Sequence, residues 1–395
     1  MYKGIVILGG NKLAHPAISH ITKLGFHTIV VDQNISEELK KISSETIQIN
    51  FFNPEKLINS LKNKSFEAII PLNDFAVLSA AISIEYFGLI GYSVEAAKNV
   101  FEKFRLKSCW IKNRIKTPYS KTISVENFKS VIEKWNIYPC ILKPSFAGGG
   151  SRDVLYCNNS QELFQNYKSI KSKYKYILLE EYIYGSEHSA EVLVSDGNVN
   201  IISISDKFNY SFSNTVVQDL IFPSKIGIQK IEHLKELFWK ACKSLGIKNG
   251  AAHFEFIINQ NNETYLLEIG GRPGGGLNFF PISYISNGID YPYHLINILL
   301  DKHTAIGNFE VKNKLCWHFF KIYNGVLDEV LGLNEVLSHK DVIKADIFVK
   351  IGDFRNGNLE NDLQRTGYVL FTYESDKDLN QKIKLFDKVL KFKVL

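Results

Sequence analysis

Two glutamates, Glu255 and Glu268, sit in neighbouring apolar runs, Ala252 to Ile258 and Thr264 to Ile269, with a polar NQNN between them. Runs this rich in aromatic and aliphatic residues, joined by so short a polar link, predict a β-hairpin. With Asn261 and Asn262 as two central turn residues of positive φ, Gln260 faces Glu263 and Glu255 faces Glu268. Opposed residues share a face of the sheet. Two carboxylates roughly 5 Å apart repel by ~3 kcal/mol at an effective dielectric of about 20, so a cation between them relieves a real cost. A hard, oxygen-seeking ion such as Mg²⁺ suits the pair, because it takes one or two carboxylates and leaves its other positions to water and phosphate. The chain continues Gly270-Gly271-Arg272-Pro273-Gly274-Gly275-Gly276. Glycines let backbone approach a ligand closely, and Arg272 brings a fixed positive fork beside the carboxylates. The plain alternative is a surface hairpin with solvated glutamates and a flexible tail.

A second group of chemically capable residues lies upstream. Tyr138 to Pro144 reads as a strand carrying Lys143, and Gly148, Gly149, Gly150 and Ser151 follow it. Such a loop can present backbone N–H groups to phosphate oxygens while the lysine adds a point charge. The lysine precedes the glycines, so this is not P-loop spacing, and a glycine run by itself is equally a mobile loop. Tyr176 to Glu181 is another strand, with Glu180 and Glu181 at its exit, Gly185 in the linker and Glu187 entering the next strand. Backbone amides and carboxylates meet there in a place fit for a purine and a ribose; a surface loop is the alternative.

These groups need elements to hold them. A chain of 395 residues has room for two or three domains with real cores. Its 45% hydrophobic and 22% charged content is that of an ordinary globular protein. The net charge of +6 comes from scattered lysines, with no basic block beyond short pieces such as Lys168 to Lys175, so nucleic-acid binding is not implied. Five scattered cysteines without a CxxC pair suggest neither a disulfide framework nor a zinc site, and a cytoplasmic location is expected. No apolar run reaches the length of a membrane span, and no export signal is read.

Residues 4 to 8, 28 to 32 and 68 to 72 are short β-branched runs separated by helix-like stretches, the pattern of a parallel sheet with crossover helices. Gly9, Gly10 and Asp32 faintly echo a dinucleotide fingerprint, but GGNKLA lacks its spacing. From Ala96 to Asn113 one amphipathic helix is predicted, with Lys103 and Lys107 on its solvent side. Asp196-Gly197 marks a hairpin turn, and Glu232 to Leu245 a helix stopped by Gly246. Residues 315 to 395 read as a smaller α+β unit.

In this order the pieces resemble the ATP-grasp superfamily of carboxylate-amine ligases, across nearly the whole chain. The resemblance implies an α/β N-terminal domain (1–98), an ATP-grasp domain (99–300, lid subdomain about 117–183) whose two α+β subdomains hold ATP, and a small C-terminal α+β unit (301–395) completing the ligase core. It implies that Lys103 and Lys143 contact ATP phosphates, that Gly148 to Ser151 close over them, that Glu180, Glu181, Tyr182 and Ile183 form the adenine hinge, and that Glu187 binds ribose. Glu255 and Glu268 match the metal-bridging acids for Mg²⁺, with Mn²⁺ as a substitute; Arg272 and Lys143 match the catalytic cations, and Arg272 with Gly275 the substrate contacts. Many relatives carry asparagine two residues after the second acid, where this chain has Gly270. The EIGGRPGGG ending and Lys350-Ile351-Gly352-Asp353 look most like the subgroup of L-amino-acid ligases and carnosine-synthase-like enzymes. Some of these carry histidine three residues before a proline; here Leu220 precedes Pro223.

The activity so implied is ADP-forming: a carboxylate, that of an amino acid first among candidates, is activated as an acyl phosphate and captured by an amine. Partners are then small molecules, with a homodimer compatible. A bicarbonate-activating carboxylase of the same fold, a nucleotide-binding protein without chemistry and a nicotinamide-dependent oxidoreductase are the rival readings.

Overall fold

The β-branched runs at the start of the chain become β1 (Gly4–Leu8), β2 (His27–Asp32), β3 (Glu45–Gln48) and β4 (Ala68–Pro71), a parallel sheet ordered β3-β2-β1-β4. The computed structural model describes residues 4–124, 126–146, 148–307 and 310–395, so Ala147 of the glycine loop lies outside the described residues. The edge strand β3, ETIQ, has too short and polar a pattern to announce itself. Asp32 accepts a hydrogen bond from the Gly10 amide at 2.7 Å, so the glycine pair and the aspartate serve the strand-to-helix turn itself.

A second sheet is antiparallel, with β5 (Ser120–Ile123), β6 (Cys140–Pro144), β7 (Leu155–Cys157) and β8 (Ile177–Glu181) in the order β5-β8-β6-β7. Alternation sorts its faces. Cys140, Leu142 and Leu179 pack with Leu163 and Tyr167 of the helix Ser160–Ile170. Ile141 pairs with Glu180 and Lys143 with Leu178, which makes Lys143 and Glu180 diagonal neighbours on the other face.

The largest sheet takes β9 (Gly185–Ser195), β10 (Asn198–Asn209), β11 (Val217–Phe222), β12 (Gly250–Asn259), β13 (Thr264–Gly270) and β14 (Lys314–Phe319). It also takes β16 (Val342–Ile347) and β18 (Gly367–Tyr373), in the order β13-β12-β9-β10-β11-β14-β18-β16. Three of its strands thus come from beyond residue 301. Only β15 (Asn324–Leu331), β17 (Phe354–Asn356) and β19 (Lys391–Val394) pair among themselves, as β17-β15-β19.

The helix Ile228–Leu245 buries Leu234, Phe238, Ala241, Cys242 and Leu245, one stripe at helical spacing, and ends at Gly246 with φ 78°. Its Phe238 stacks on Phe254 at 4.3 Å between ring centroids. Phe254 and Phe256 are fully buried on that face of β12, and truncating either to alanine costs ~3–5 kcal/mol by the usual cavity penalty. This packing clamps β12 so that His253 and Glu255 point the other way.

Two expectations need correction. The predicted helix over Ala96 to Asn113 is two, Val94–Phe101 and Lys103–Lys112, broken at Glu102 with φ −93° and ψ 102°. Glu102 bridges to Phe146, and the Lys103 amide donates to the Ser145 carbonyl at 2.8 Å, so pairing with the strand exit replaces a turn of helix. The hairpin turn also differs. Asn259 and Glu263 close a three-residue loop in which only Asn262 has positive φ, 58°, and Asn259 Oδ1 accepts the amides of Asn261 and Glu263. The register then shifts between Glu255 and Phe256, leaving Leu267 as the extra residue of a bulge.

Candidate active site

That bulge decides the geometry of the acidic pair. With the three-residue loop alone, Glu255 would oppose Leu267 and Glu268 would turn to the far face, because a one-residue slip exchanges faces. The extra residue restores the pairing, and Glu255 stands opposite Glu268. Register extends the same face outward: His253 pairs with Glu191, Glu255 with Ser189 and Ile257 with Glu187 on β9, and Glu187 pairs with Lys207 on β10. One face of the sheet therefore carries a row of alternating charge.

Each carboxylate in the row has a cation against it. Lys103, at the start of its helix, is ion-paired with Glu268. Lys207 Nζ lies 2.5 Å from Glu187 Oε1 and 3.4 Å from Glu255 Oε2. Burial pushes the Glu255 carboxyl up, but Lys207 and His253 more than offset it and hold the group well below the usual carboxylate range. His253 donates from Nδ1 to Glu191 Oε1 at 2.7 Å, and Glu191 Oε2 accepts the Gly274 amide at 2.8 Å. Burial alone would lower the imidazole; Glu191 overrides it and lifts the group to about 9. A Cβ on Gly274 would fall 1.9 Å from Glu191 Oε1, so only glycine fits there.

The antiparallel sheet supplies a second cluster. Glu180 Oε2 lies 2.5 Å from Lys143 Nζ and Oε1 2.8 Å from Lys107 Nζ, all three side chains being buried. Burial raises the Glu180 carboxyl, yet the two lysines bring it down to about 2. Burial lowers Lys107 to about 8, with the neighbouring Lys143 adding to the fall and Glu180 and Glu268 offsetting part of it. Lys103 and Lys107 are thus buried site residues and not the solvent face expected of them: apolar periodicity does not reveal a buried acid waiting on another element.

The glycine loop is folded down onto the other parts. Gly149 and Gly150 have φ 56° and 68°, and Ser151 follows at 53°. Ser151 Oγ donates to the Thr215 carbonyl at 2.7 Å, and the Gly150 carbonyl accepts the Asp362 amide at 3.0 Å. A Cβ on Gly149 would come 2.8 Å from Asp74 Oδ2. Asp74 in turn holds Arg272, Nη2 to Oδ2 at 2.7 Å, and Arg272 Nη1 donates to the Pro273 carbonyl at 3.0 Å.

The remaining expected residues fall nearby but differ in availability. Glu180 spends its carboxylate on lysines, so any base reading at the hinge falls to backbone. The Glu181 amide donates to the Tyr119 carbonyl at 3.0 Å and the Tyr182 amide to the Pro139 carbonyl at 3.2 Å, while among the described residues the Ile183 amide has no hydrogen-bond partner. Gly275 opens the short turn at Gly276–Asn278, with space around the position of a Cβ. Lys350 to Asp353 form an exposed turn, Lys350 donating its amide to Asp353 Oδ2 at 2.9 Å, and bring no group to the row.

Comparison with known proteins shows what the chain is similar to. Residues 136–279 match the family described as an ATP-grasp domain. The chain carries an ATP-grasp domain. It resembles D-alanine–D-alanine ligase B of Chromobacterium violaceum, 23% identical over 278 residues, 68% of this chain and 91% of the relative. It also resembles N5-carboxyaminoimidazole ribonucleotide synthase of Staphylococcus aureus, 25% identical over 272 residues, 68% of this chain and 70% of the relative. In fold it matches the crystal structure of an L-amino acid ligase from Bacillus licheniformis, TM-score 0.86 and 20% identity, over 100% of this chain and 99% of that one. The ATP-grasp fold expected from the sequence is the one observed, from the parallel N-terminal sheet to β18.

Several residues of the candidate site carry no recognisable signal of their own in the sequence. His253 and Lys207 were findable, the first two residues along β12 from Glu255 and the second opposite Glu187, whereas Glu191 is reached only through His253, which it opposes. Asp74, Asp362 and Arg365 were not, because they reach the site from segments distant in the chain, Asp74 after β4 and the other two just before β18. Among the described residues no group of three or more His, Cys, Asp or Glu side chains is poised on a metal, and no helix is long and apolar enough to cross a membrane.

Proposed function

We propose that the protein is an ATP-dependent, ADP-forming carboxylate-amine ligase. The observation that carries this is the single sheet face on which Glu187, Lys207, Glu255, Glu268 and Lys103 meet beneath a closed glycine loop. Such a row balances charge with ammonium groups and leaves two opposed hard-oxygen carboxylates, a donor set that fits Mg²⁺, or Mn²⁺, beside phosphate. When bound on Glu255 and Glu268, the ion supplies electrostatic stabilisation of the transferring phosphoryl group.

The chain's own residues do the rest. Lys103 and Lys143 neutralise ATP phosphates, and Gly148, Gly149, Gly150 and Ser151 present backbone amides and exclude water. Glu181, Tyr182 and Ile183 hold adenine through backbone, and Glu187, with only one oxygen committed to Lys207, takes ribose hydroxyls. A substrate carboxylate attacks the γ-phosphorus with Arg272 beside it, and the acyl phosphate is then captured by an amine. The substrate is a small carboxylate, an amino acid foremost, set against Arg272 and Gly275. All five cysteines are free thiols, which goes with a reducing cytoplasm.

The test is ADP release with single amino acids and pairs of amino acids, ADP being separated from AMP. AMP as the nucleotide product would remove the phosphorylated intermediate. One rival, a bicarbonate-activating carboxylase, requires bicarbonate-dependent ADP formation instead.

A further inference from the structure

The short turn Asp362–Gln364, between β17 and β18, enters the site from the C-terminal part of the chain. Its first residue touches the closed loop, the Asp362 amide donating a hydrogen bond to the Gly150 carbonyl, and a Cβ on Gly150 would sit 3.4 Å from Asp362 Cβ. Among the described residues the side chain has one cation in contact, Arg365 Nη2 at 3.0 Å from Oδ1. Arg365 is itself committed elsewhere: Nη2 donates to the Val217 carbonyl at 2.5 Å, and its guanidinium lies 3.6 Å above the Phe319 ring. The ion contact lacks hydrogen-bond alignment, so Asp362 Oδ1 is a buried acceptor with no hydrogen-bond donor among the described residues.

Beside it, Arg365 Nε is a second buried polar atom without a partner among the described residues, on a residue only 8% exposed. Buried polar atoms are ordinarily satisfied. Two adjacent ones, at the edge of a row already balanced by lysines, mark the place of a polar group that arrives with a ligand. Burial pushes the Asp362 carboxyl up, Arg365 and Lys207 draw it down, and Glu255 and Glu187 add to the upward push. The carboxylate is short of positive charge, and what it lacks is what an ammonium group brings.

We propose that Asp362 receives the ammonium group of the incoming amine and holds that nitrogen at the acyl phosphate, with Arg365 as the residue that positions Asp362. This rests on the ligase reading and names the amine side of the same site. On becoming an amide the nitrogen sheds two protons. One passes to the Asp362 carboxylate, freeing the lone pair that forms the C–N bond at the acyl carbon. The C–O bond to phosphate breaks, its electron pair leaves with inorganic phosphate, and the second proton departs with that phosphate.

Hydroxylamine separates this step from the one before it, since it is neutral at pH 7 and captures an acyl phosphate without an ammonium site. Wild-type enzyme is assayed with each proteinogenic amino acid as carboxylate, first with hydroxylamine for hydroxamate and then with a second amino acid for amide. In Asp362→Asn, amide formation is expected to fall about 30-fold or more, the usual cost of truncating a buried charge partner, chiefly through the KM for the amine, while hydroxamate falls far less. Asp362→Glu should recover part of the amide rate, and Asp362→Ala is made in parallel so that one poorly folding substitution does not decide the outcome. Equal loss of both products in variants that bind nucleotide and melt cooperatively overturns the role of Asp362 and leaves the ligase reading standing. Wild-type enzyme that forms neither hydroxamate nor amide overturns the ligase reading itself.

Discussion

Asp74 and Arg272 are joined by an ion pair of 2.7 Å although 198 residues separate them, and both side chains are almost wholly withdrawn from solvent. Asp74 is the first residue of the helix Asp74–Phe87, which follows β4 of the N-terminal sheet; Arg272 lies two residues beyond β13. The N-terminal sheet thereby sets where the guanidinium points.

Breaking the pair with Asp74→Asn leaves a buried arginine without its counterion. Removing one partner of a buried ion pair costs ~3–5 kcal/mol, and urea denaturation should show a loss of that order. Turnover should fall as well, because Arg272 is no longer held beside the acidic row. A variant as stable and as active as the parent would show that Arg272 is positioned by its own loop.

The substitutions Glu255→Gln and Glu268→Gln each remove one charge from the opposed pair while keeping its shape. ADP release should drop to near background in both, with thermal unfolding still cooperative. Continued ADP release with amino-acid substrates in both variants would strip the pair of its assigned role.

Gly149 combines positive φ with a hydrogen where a methyl would meet Asp74. In Gly149→Ala the left-handed backbone alone costs about 1–2 kcal/mol, and the contact adds to it, so the loop should open. We expect turnover to fall at least about tenfold and the loop to be cleaved faster by protease. A kcat equal to that of the parent would mean that the loop's closure is not needed.

His318 tests the electrostatics away from the site. Its Nδ1 lies 2.6 Å from Asp219 Oδ1 and its Nε2 3.1 Å from Asp387 Oδ1, with Lys321 3.4 Å from Asp387 and the Cys316 thiol 3.9 Å from Asp219. Burial lowers the imidazole, but the two aspartates carry it up to about 9 from 6.5. A raised folded value means that the protonated pair stabilises the fold fully below about pH 6.5, and that this stabilisation is lost as pH rises through about 9. The contribution at pH 6 is on the order of 3 kcal/mol. Unfolding free energy should fall from pH 6 to 9.5, and His318→Gln should be less stable at pH 6 with a shallower dependence. His253 keeps part of the slope in that variant. An unchanged slope would show that His318 is neutral throughout.

Much of this protein was legible in its residues. Glycine next to a strand, alternating apolar residues and paired acids on a short ribbon are local patterns, set by φ preferences and by the two-residue period of a strand. They were enough to place Lys143, Gly148 to Ser151, Glu187, Glu255 and Glu268 on the right elements. The pairing of Glu255 with Glu268 was reached through a turn one residue too short, and the bulge at Leu267 supplied the missing offset. Neither turn length nor bulge has a firm signature in NQNN.

What the sequence could not determine is which buried charges share a counterion. Lys107 looked like a surface lysine until β8 brought Glu180 beneath it. Asp74 arrives after β4 of the N-terminal sheet, Asp362 and Arg365 just before β18, and all three acquire meaning only through distances between elements far apart in the chain. Local propensity acts over a few residues, whereas burial and Coulomb attraction act between whatever surfaces the packed sheets bring together. The sequence therefore determined most of the parts of the candidate site, and the tertiary structure alone decided which of them hold one another in place.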